Sequence, residues 1–300
     1  MNRNILKIMI AILLIMNSGA YGDSKCPKYN KLEKALLEAE KVCELNLSNN
    51  ELKQVPDDIQ KFVNLEILKL DSNQLKDIPE LFPSLNKLTL LSLNNNEFTS
   101  ITANIIKIET LEKLYMNDNK LKNITSEINK LKNLKTLSLI NNNINMLPKN
   151  ITKLENLDTL NLIDNKIKEL PVRFPKLSSL SNLYLGNNPE FNNFETIFSM
   201  QGLTRLSLTK INMSNLSPQI GNLKNLKWLD ISDNDLEELP SEIGELYNLE
   251  HLMLDKNLLK KLPDSMKNLT KLKTLTIRNN KIDLNTEAEI KNKFPNTQVE

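Results

Sequence analysis

Two near copies of one stretch, LEILKLDSNQL at residues 65–75 and LKWLDISDNDL at residues 226–236, decide the architecture of this chain. In both copies, apolar residues occupy the first, fourth, sixth and eleventh positions, and an asparagine occupies the ninth. The first apolar position recurs every 23 residues without insertion, at Val42, Leu65, Leu88, Leu111, Leu134, Leu157, Leu180, Leu203, Leu226, Leu249 and Leu272. A fixed period of this length predicts a solenoid, in which copies of one structural unit stack on each other.

The first half of each repeat has the pattern of a short strand. Leu68 and Leu70 lie two residues apart, so both side chains point into the core while their neighbours point to the opposite face. One strand per repeat predicts a single parallel sheet. The second half, LPSEIGEL at residues 239–246 for example, adds apolar positions on the other side. It is too short for a full helix, so we expect 3-10 or irregular turns there.

The ninth-position asparagine can donate to and accept from buried backbone groups of adjacent coils, which predicts a ladder along the stack. Its members are Asn50, Asn73, Asn96, Asn119, Asn142, Asn165, Asn188, Asn234, Asn257 and Asn280. The template fails at Ile211, which replaces an asparagine, and at Glu190, which occupies a normally apolar position. We expect residues 188–190 to bulge outward, Phe191 to take the core place, Phe194 to fill the convex side, and local stability to fall.

This pattern resembles the leucine-rich repeat family, and its Leu-Pro-x-x-Ile-x-x-Leu half is similar to the Ras-group and plant disease-resistance type and to exported bacterial proteins of the same unit. The resemblance covers residues 42–282, about eleven repeats. It implies an α/β solenoid, a horseshoe with one parallel sheet on the concave face, short 3-10 or irregular turns on the convex face, and helical caps at both ends. Members of the family bind many unrelated proteins, so the fold does not fix the ligand.

A stack of repeats exposes apolar core at both ends, so each end needs a cap. We expect residues 23–41 to form the amino-terminal cap, with Asn30 and Glu33 as the capping box of a short helix.

The carboxyl-terminal cap is expected at residues 283–300. There, Thr286 and Glu289 resemble the start of a second helix, Pro295 stops it, and residues 297–299 lie along the last strand.

Residues 1–22 have the layout of a secretory signal peptide, because Arg3 and Lys7 precede an apolar run that ends in small residues. The run is about half the length needed to cross a bilayer. We therefore expect an exported product, secreted or periplasmic, without stable membrane insertion after cleavage. In such a compartment, Cys26 and Cys43 around one short helix predict a disulfide.

Charge and composition exclude several functions. Cleavage after residue 22 would remove two of the 39 basic residues and leave 37, equal to the 37 acidic residues. A neutral chain gives no reason to expect nucleic acid as a partner. Six glycines and the single His251 argue against phosphate-binding loops, metal sites and a nucleophile–histidine pair. We predict a protein that is not an enzyme, with no cofactor and no metal.

The predicted concave face carries the third and fifth residues of each repeat, and adjacent strands lie about 4.8 Å apart. This spacing brings the only tryptophan of the chain next to an arginine, with a tyrosine and a methionine nearby, which is the composition of a protein-binding hot spot. The predicted patch comprises Tyr184, Arg205, Trp228, Asp230, His251 and Met253, and Lys113 with Tyr115 form a secondary candidate patch.

We therefore predict a monomeric, exported scaffold that binds a protein ligand, of a host or of the cell surface, on its concave face. The alternative is a carbohydrate or cell-wall binding module. It would use the polar midsection of the same face, formed by Thr136, Ser138, Thr159 and Asn161, together with Tyr115.

Overall fold

The fold is known from a computed structural model that describes residues 26–80 and 82–300. The predicted signal peptide, residues 1–22, lies outside the described residues. Within them, the chain coils once per repeat, and each coil rests on the preceding one.

Thirteen described strands form one parallel sheet in which spatial order follows chain order. From Glu44 to Thr276, each strand pairs in register with the residues 23 positions further along, as Trp228 does with His251. The first and last strands pair at other offsets, 16 residues for Lys28 with Glu44 and 24 residues for Thr274 with Gln298. The strands are β1 (Lys28–Tyr29), β2 (Glu44–Asn46), β3 (Ile67–Lys69), β4 (Leu90–Ser92), β5 (Lys113–Tyr115), β6 (Thr136–Ser138), β7 (Thr159–Asn161), β8 (Asn182–Tyr184), β9 (Arg205–Ser207), β10 (Trp228–Asp230), β11 (His251–Met253), β12 (Thr274–Thr276) and β13 (Gln298–Val299). The solenoid architecture predicted from the period is confirmed.

The convex side consists mainly of 3-10 turns, as predicted. They span Asp57–Lys61, Phe82–Ser84, Ser126–Lys130, Lys149–Lys153, Phe174–Lys176, Pro218–Asn222, Ser241–Glu245 and Asp264–Asn268, and another lies in the amino-terminal cap at Ala39–Lys41. The described α-helices are α1 (Leu32–Leu36), α2 (Ala103–Ile106), α3 (Phe194–Phe198) and α4 (Leu284–Lys293). On the convex side, α2 and α3 each bury two consecutive bulky residues, whereas a 3-10 turn such as Ser126–Lys130 buries one, Ile128.

A continuous aliphatic core runs the length of the stack. Leu68 and Leu70 have 0% of their surface exposed, and equivalent residues of the other repeats are buried with them. Burial of each such leucine stabilises the fold by about 1.5–3 kcal/mol. The alternation read from the sequence therefore places the core between the sheet and the convex turns.

The asparagine ladder is present, and Asn142 shows its geometry. Its Nδ2 donates to the carbonyl oxygens of Met116 at 3.0 Å, Leu139 at 3.1 Å and Ile140 at 3.1 Å. Its Oδ1 accepts from the backbone N–H of Leu121 at 3.0 Å. The first member, Asn50, is exposed and donates only to the Ser48 carbonyl, so the ladder begins one repeat later than expected.

A second set of asparagines, on the convex side of the stack, was not anticipated from the sequence. Each donates its Nδ2 to a backbone carbonyl 24 residues earlier, at 2.7–3.0 Å, and so joins consecutive coils. These residues are Asn64, Asn133, Asn156, Asn225 and Asn248.

At the amino-terminal end, a disulfide joins Cys26 and Cys43, as predicted, with their Cα atoms 5.5 Å apart. The predicted capping box is wrong. Helix α1 is capped by Lys31, whose side chain makes no capping hydrogen bond, because the helix begins one residue later than the Asn30 pattern requires. The disulfide, the pairing of β1 with β2 and the buried Ala35 hold this segment on the first repeat.

At the carboxyl-terminal end, α4 begins two residues before Thr286. The predicted start at Thr286 is wrong, because the Asp283 carboxylate accepts from the Thr286 backbone N–H at 2.8 Å and caps the helix. Ile290 and Phe294 are buried and seal the last repeat. Strand β13 pairs with β12, which confirms the predicted final strand.

The irregular repeat is accommodated as the sequence predicts. Glu190 points outward and forms an ion pair with Lys168 at 2.7 Å, while Phe191 is buried in its place. Ile211 is buried at the position of the missing asparagine, and the Asn212 Nδ2 donates to the Pro189 carbonyl at 3.1 Å. The ladder is interrupted here between Asn188 and Asn234.

Candidate ligand-binding face

Two rows of side chains cover the concave surface of the sheet. Row three contains the first residue of each strand from β2 to β12, and row five contains the last. Row three runs through Glu44, Ile67, Leu90, Lys113, Thr136, Thr159, Asn182, Arg205, Trp228, His251 and Thr274. Row five runs through Asn46, Lys69, Ser92, Tyr115, Ser138, Asn161, Tyr184, Ser207, Asp230, Met253 and Thr276.

The register places Arg205, Trp228 and His251 on adjacent strands. The Tyr184 ring reaches across β9 and meets the Trp228 ring edge to face, with centroids 6.2 Å apart. Burial raises the pKa of Tyr184 above its ordinary value, and the nearby Arg205 guanidinium opposes that rise. The aromatic pair and Arg205 therefore form one contiguous cluster.

The exposed part of the predicted patch is smaller than the sequence indicates. Arg205, Trp228 and His251 are half-buried, whereas Tyr184 is 5%, Asp230 6% and Met253 8% exposed. From β6 to β12, the residues of row five are buried, whereas those of row three are half-buried. A ligand would first meet row three.

Asp230 is the most perturbed acid of the face. Burial raises its pKa to about 6, and the hydrogen bond that its carboxylate accepts from the Ser232 backbone N–H at 3.0 Å opposes that rise only in part. Asp255 and Asp233 add to the rise through their charges. The carboxyl group therefore titrates within the physiological range.

His251 is the histidine of row three. Burial lowers its pKa below the ordinary value; the Glu250 charge opposes this shift, and the charges of Lys273 and Arg205 add to it. The shift favours the neutral form of the ring, which can both donate and accept a hydrogen bond.

The secondary candidate patch lies apart from this cluster. Lys113 and Tyr115 are on β5, four strands from Arg205 on β9. Four strand spacings correspond to about 19 Å. The two patches are separate regions of one face.

Between the two patches lies a group of hydrogen-bonded polar side chains centred on Asp158. This residue directly precedes Thr159, the row-three residue of β7, and was not predicted from the sequence as part of a site. Its carboxylate accepts from the Asn182 Nδ2 at 3.0 Å and from the Ser181 hydroxyl. Asn182 also donates to the Thr159 hydroxyl at 3.0 Å. These contacts join adjacent repeats and order the polar midsection.

Two row-five side chains are buried with an unused polar atom. The Asn161 Nδ2 and the Thr276 Oγ1 have no hydrogen-bond partner in the described part of the chain. Such atoms are uncommon in folded proteins and cost free energy. No sequence signal distinguishes them from the satisfied members of the row.

Within residues 26–80 and 82–300, no three His, Cys, Asp or Glu side chains come together in a way that could hold a metal ion. In the same ranges, none of the helices has the length and apolar composition that a bilayer-spanning segment requires.

The repeats, the single parallel sheet and the open concave face define a solenoid of the horseshoe type. A family model described as a leucine-rich repeat region matches residues 122–211 and 187–292, and another described as a leucine-rich repeat matches residues 41–62. The chain belongs to the leucine-rich repeat family. A comparison with curated protein sequences gave no match.

Solved structures with a similar fold come from bacteria and plants. A leucine-rich repeat protein of Leptospira interrogans is 29% identical, with 91% of this chain and 87% of that chain covered and a TM-score of 0.68. An internalin of Listeria monocytogenes is 21% identical, with 87% and 74% covered and a TM-score of 0.74, which is a likeness of fold alone. The plant peptide hormone receptor RGFR1, in complex with RGF2, is 30% identical, with 86% of this chain but only 42% of the receptor covered and a TM-score of 0.62.

Proposed function

We propose that this chain is an exported, non-enzymatic scaffold that binds a protein ligand on its concave face. The observation that carries the proposal is the cluster of Trp228, Tyr184 and Arg205, in which a half-exposed tryptophan rests on a buried tyrosine beside a cation. Tryptophan, tyrosine and arginine dominate the energetics of protein interfaces. Asp230, His251 and Met253 complete the proposed contact.

The packing of the cluster adds to the argument. Because the edge-to-face contact holds the Trp228 ring against Tyr184, the ring loses little side-chain entropy when a ligand covers it. The structure of RGFR1 with RGF2 is an example in which a chain of similar fold has a peptide hormone as its ligand, although this chain spans less than half of that receptor.

The test compares binding by the wild type and by the double variant Trp228→Ala with Arg205→Ala. Secreted and surface proteins are captured on the immobilised chain, and the affinity of each captured protein is measured. The double variant should weaken binding by at least about tenfold, because hot-spot truncations cost 2 kcal/mol or more. Ile67→Ala, at a half-buried row-three position outside the candidate patches, is the matched control. Unchanged binding by a folded double variant would move the site towards Lys113 and Tyr115.

We also propose the organisation and export of the chain. Residues 1–22 are a signal peptide removed after Gly22, residues 23–41 the amino-terminal cap, residues 42–282 the repeats and residues 283–300 the carboxyl-terminal cap. Mass spectrometry of the exported product should show a chain that begins at residue 23. Light scattering should show that this chain is a monomer. A product that retains residues 1–22 contradicts the proposal.

A carbohydrate or cell-wall ligand is the second candidate, favoured by the polar midsection. The unpaired Asn161 Nδ2 and the ordered group around Asp158, Ser181 and Asn182 resemble the polar surface that a sugar would contact. A glycan array distinguishes the two candidates. Binding that survives the Trp228 and Arg205 substitutions but is lost in Asn182→Ala would favour the carbohydrate.

A further inference from the structure

Asp230 is buried on the proposed ligand face without a cation. It is 6% exposed, and it forms no ion pair with any residue that the structure describes. The two acids whose charges act on Asp230 are paired, since Asp233 contacts Lys256 at 3.2 Å and Asp255 contacts Arg278 at 3.2 Å. The unpaired acid is therefore the one that lies deepest on the concave face.

Another buried carboxylate of the same face is paired with cations, as buried acids usually are. Glu44, on β2, is 8% exposed and contacts Lys28 at 3.2 Å and Lys69 at 3.0 Å. Burial by itself would raise the pKa of Glu44, but the two lysines outweigh it and hold the pKa below its ordinary value. Two acids with similar burial thus have opposite surroundings.

The strands packed against Asp230 bring no positive charge to it. In register, β9 contributes Ser207 and β11 contributes Met253. Arg205, the cation of β9, lies against Tyr184, and His251 on β11 is in register with Trp228 rather than with Asp230. The position offers a carboxylate, a thioether and the nearby Trp228 ring, an arrangement suited to a cation that arrives from outside.

We propose that the protein ligand inserts a basic side chain, lysine or arginine, into this position, where its charged group pairs with the Asp230 carboxylate. The inference rests on the proposed function and adds the chemistry of the partner. The aliphatic stem of the basic residue would lie along Met253 and Trp228, and its cation would also benefit from the tryptophan ring. Removal of one partner of a buried charge pair is costly, so Asp230 should dominate specificity for the basic residue.

The experiment uses the full chain and random dodecapeptides displayed on phage. Peptides selected on the immobilised wild type are titrated into the wild type, into Asp230→Asn and into Asp235→Asn. The emission of Trp228, the only tryptophan, serves as the signal. Asp235 is an exposed aspartate of the same repeat and provides the matched control. Thermal unfolding of each variant verifies the fold.

We expect the selected peptides to share a lysine or arginine, and their affinity to be at least about tenfold lower for Asp230→Asn than for the wild type. Asp235→Asn should bind within about twofold of the wild type, the scatter expected of an exposed site. Replacing the shared basic residue of a peptide with norleucine should lower its affinity for the wild type by the same factor as Asp230→Asn does. The affinity of that peptide for Asp230→Asn should then change little. Selected peptides without a shared basic residue, or equal binding by Asp230→Asn, overturn the inference and leave the proposed function standing. A failure to select any peptide overturns the inference too, while the capture experiment with the Trp228 and Arg205 variant judges the proposed function independently.

Discussion

Replacement of Asp230 with asparagine measures how much burial of the ionised carboxylate lowers the free energy of unfolding. Its pKa in the folded chain is about 6, against an ordinary value of 3.8, and burial is the main cause. The folded state therefore holds the proton more tightly than the unfolded state does. The resulting stability is fully present below pH 3.8 and is lost as the pH rises through 6. A difference of about two pKa units corresponds to about 3 kcal/mol.

The asparagine variant cannot ionise, and its side-chain oxygen can still accept from the Ser232 N–H. Its free energy of unfolding, relative to the wild type, should therefore rise by about 2 kcal/mol between pH 4 and pH 7, because pH 4 already lies slightly above the ordinary pKa of 3.8. Urea unfolding at several pH values, followed by Trp228 emission, measures this difference in the repeats around the site. Asp235→Asn, at an exposed position, should follow the wild type. A difference between Asp230→Asn and the wild type that stays constant from pH 4 to pH 7 would refute the reasoning.

Three further predictions concern the stability of the stack. Reduction of Cys26–Cys43, which are 17 residues apart, should destabilise the first two repeats by about 3 kcal/mol, and unchanged hydrogen exchange there after reduction would contradict this. Asn142→Ala should cost about 2–4 kcal/mol in chemical denaturation, since it leaves buried backbone groups without partners, whereas the exposed Asn145→Ala should cost almost nothing. Amides of residues 187–215, where the ladder is interrupted, should exchange faster than those of the fifth and sixth repeats, and equal protection would show that the irregularity has no cost.

The repeat architecture could be predicted because each rule acts within one period. Strand alternation placed Leu68 and Leu70 in the core, and the need to avoid a buried acid predicted that Glu190 turns outward and Phe191 replaces it. These outcomes depend on residue type and position alone. They do not require knowledge of how the stack curves.

The candidate site could be predicted only in outline. The register of Arg205, Trp228 and His251 followed from the period, but the depth of each side chain depends on where the neighbouring long side chains lie. For this reason the sequence predicts that Asp230 is exposed, whereas in the structure it is buried and forms no ion pair with any described residue. The predicted start of α4 is too late because both Thr286 and Asp283 are residue types that cap helices, and the sequence pattern alone does not distinguish them.

The disulfide at the amino-terminal end of the stack makes the two ends differ in their resistance to force. Each coil is held mainly by its immediate neighbours in the sheet, so a tensile load would remove coils one after another from an end. The first coil is tied by Cys26–Cys43, whereas the last is held by noncovalent contacts. These are the short β13, the apolar contacts of α4 and the ion pairs of Lys293 with Asp264 and of Arg278 with Glu300. A pulling force on the two ends would therefore unravel the chain from its carboxyl terminus, and the concave cluster on β8–β11 would lose its β11 side first.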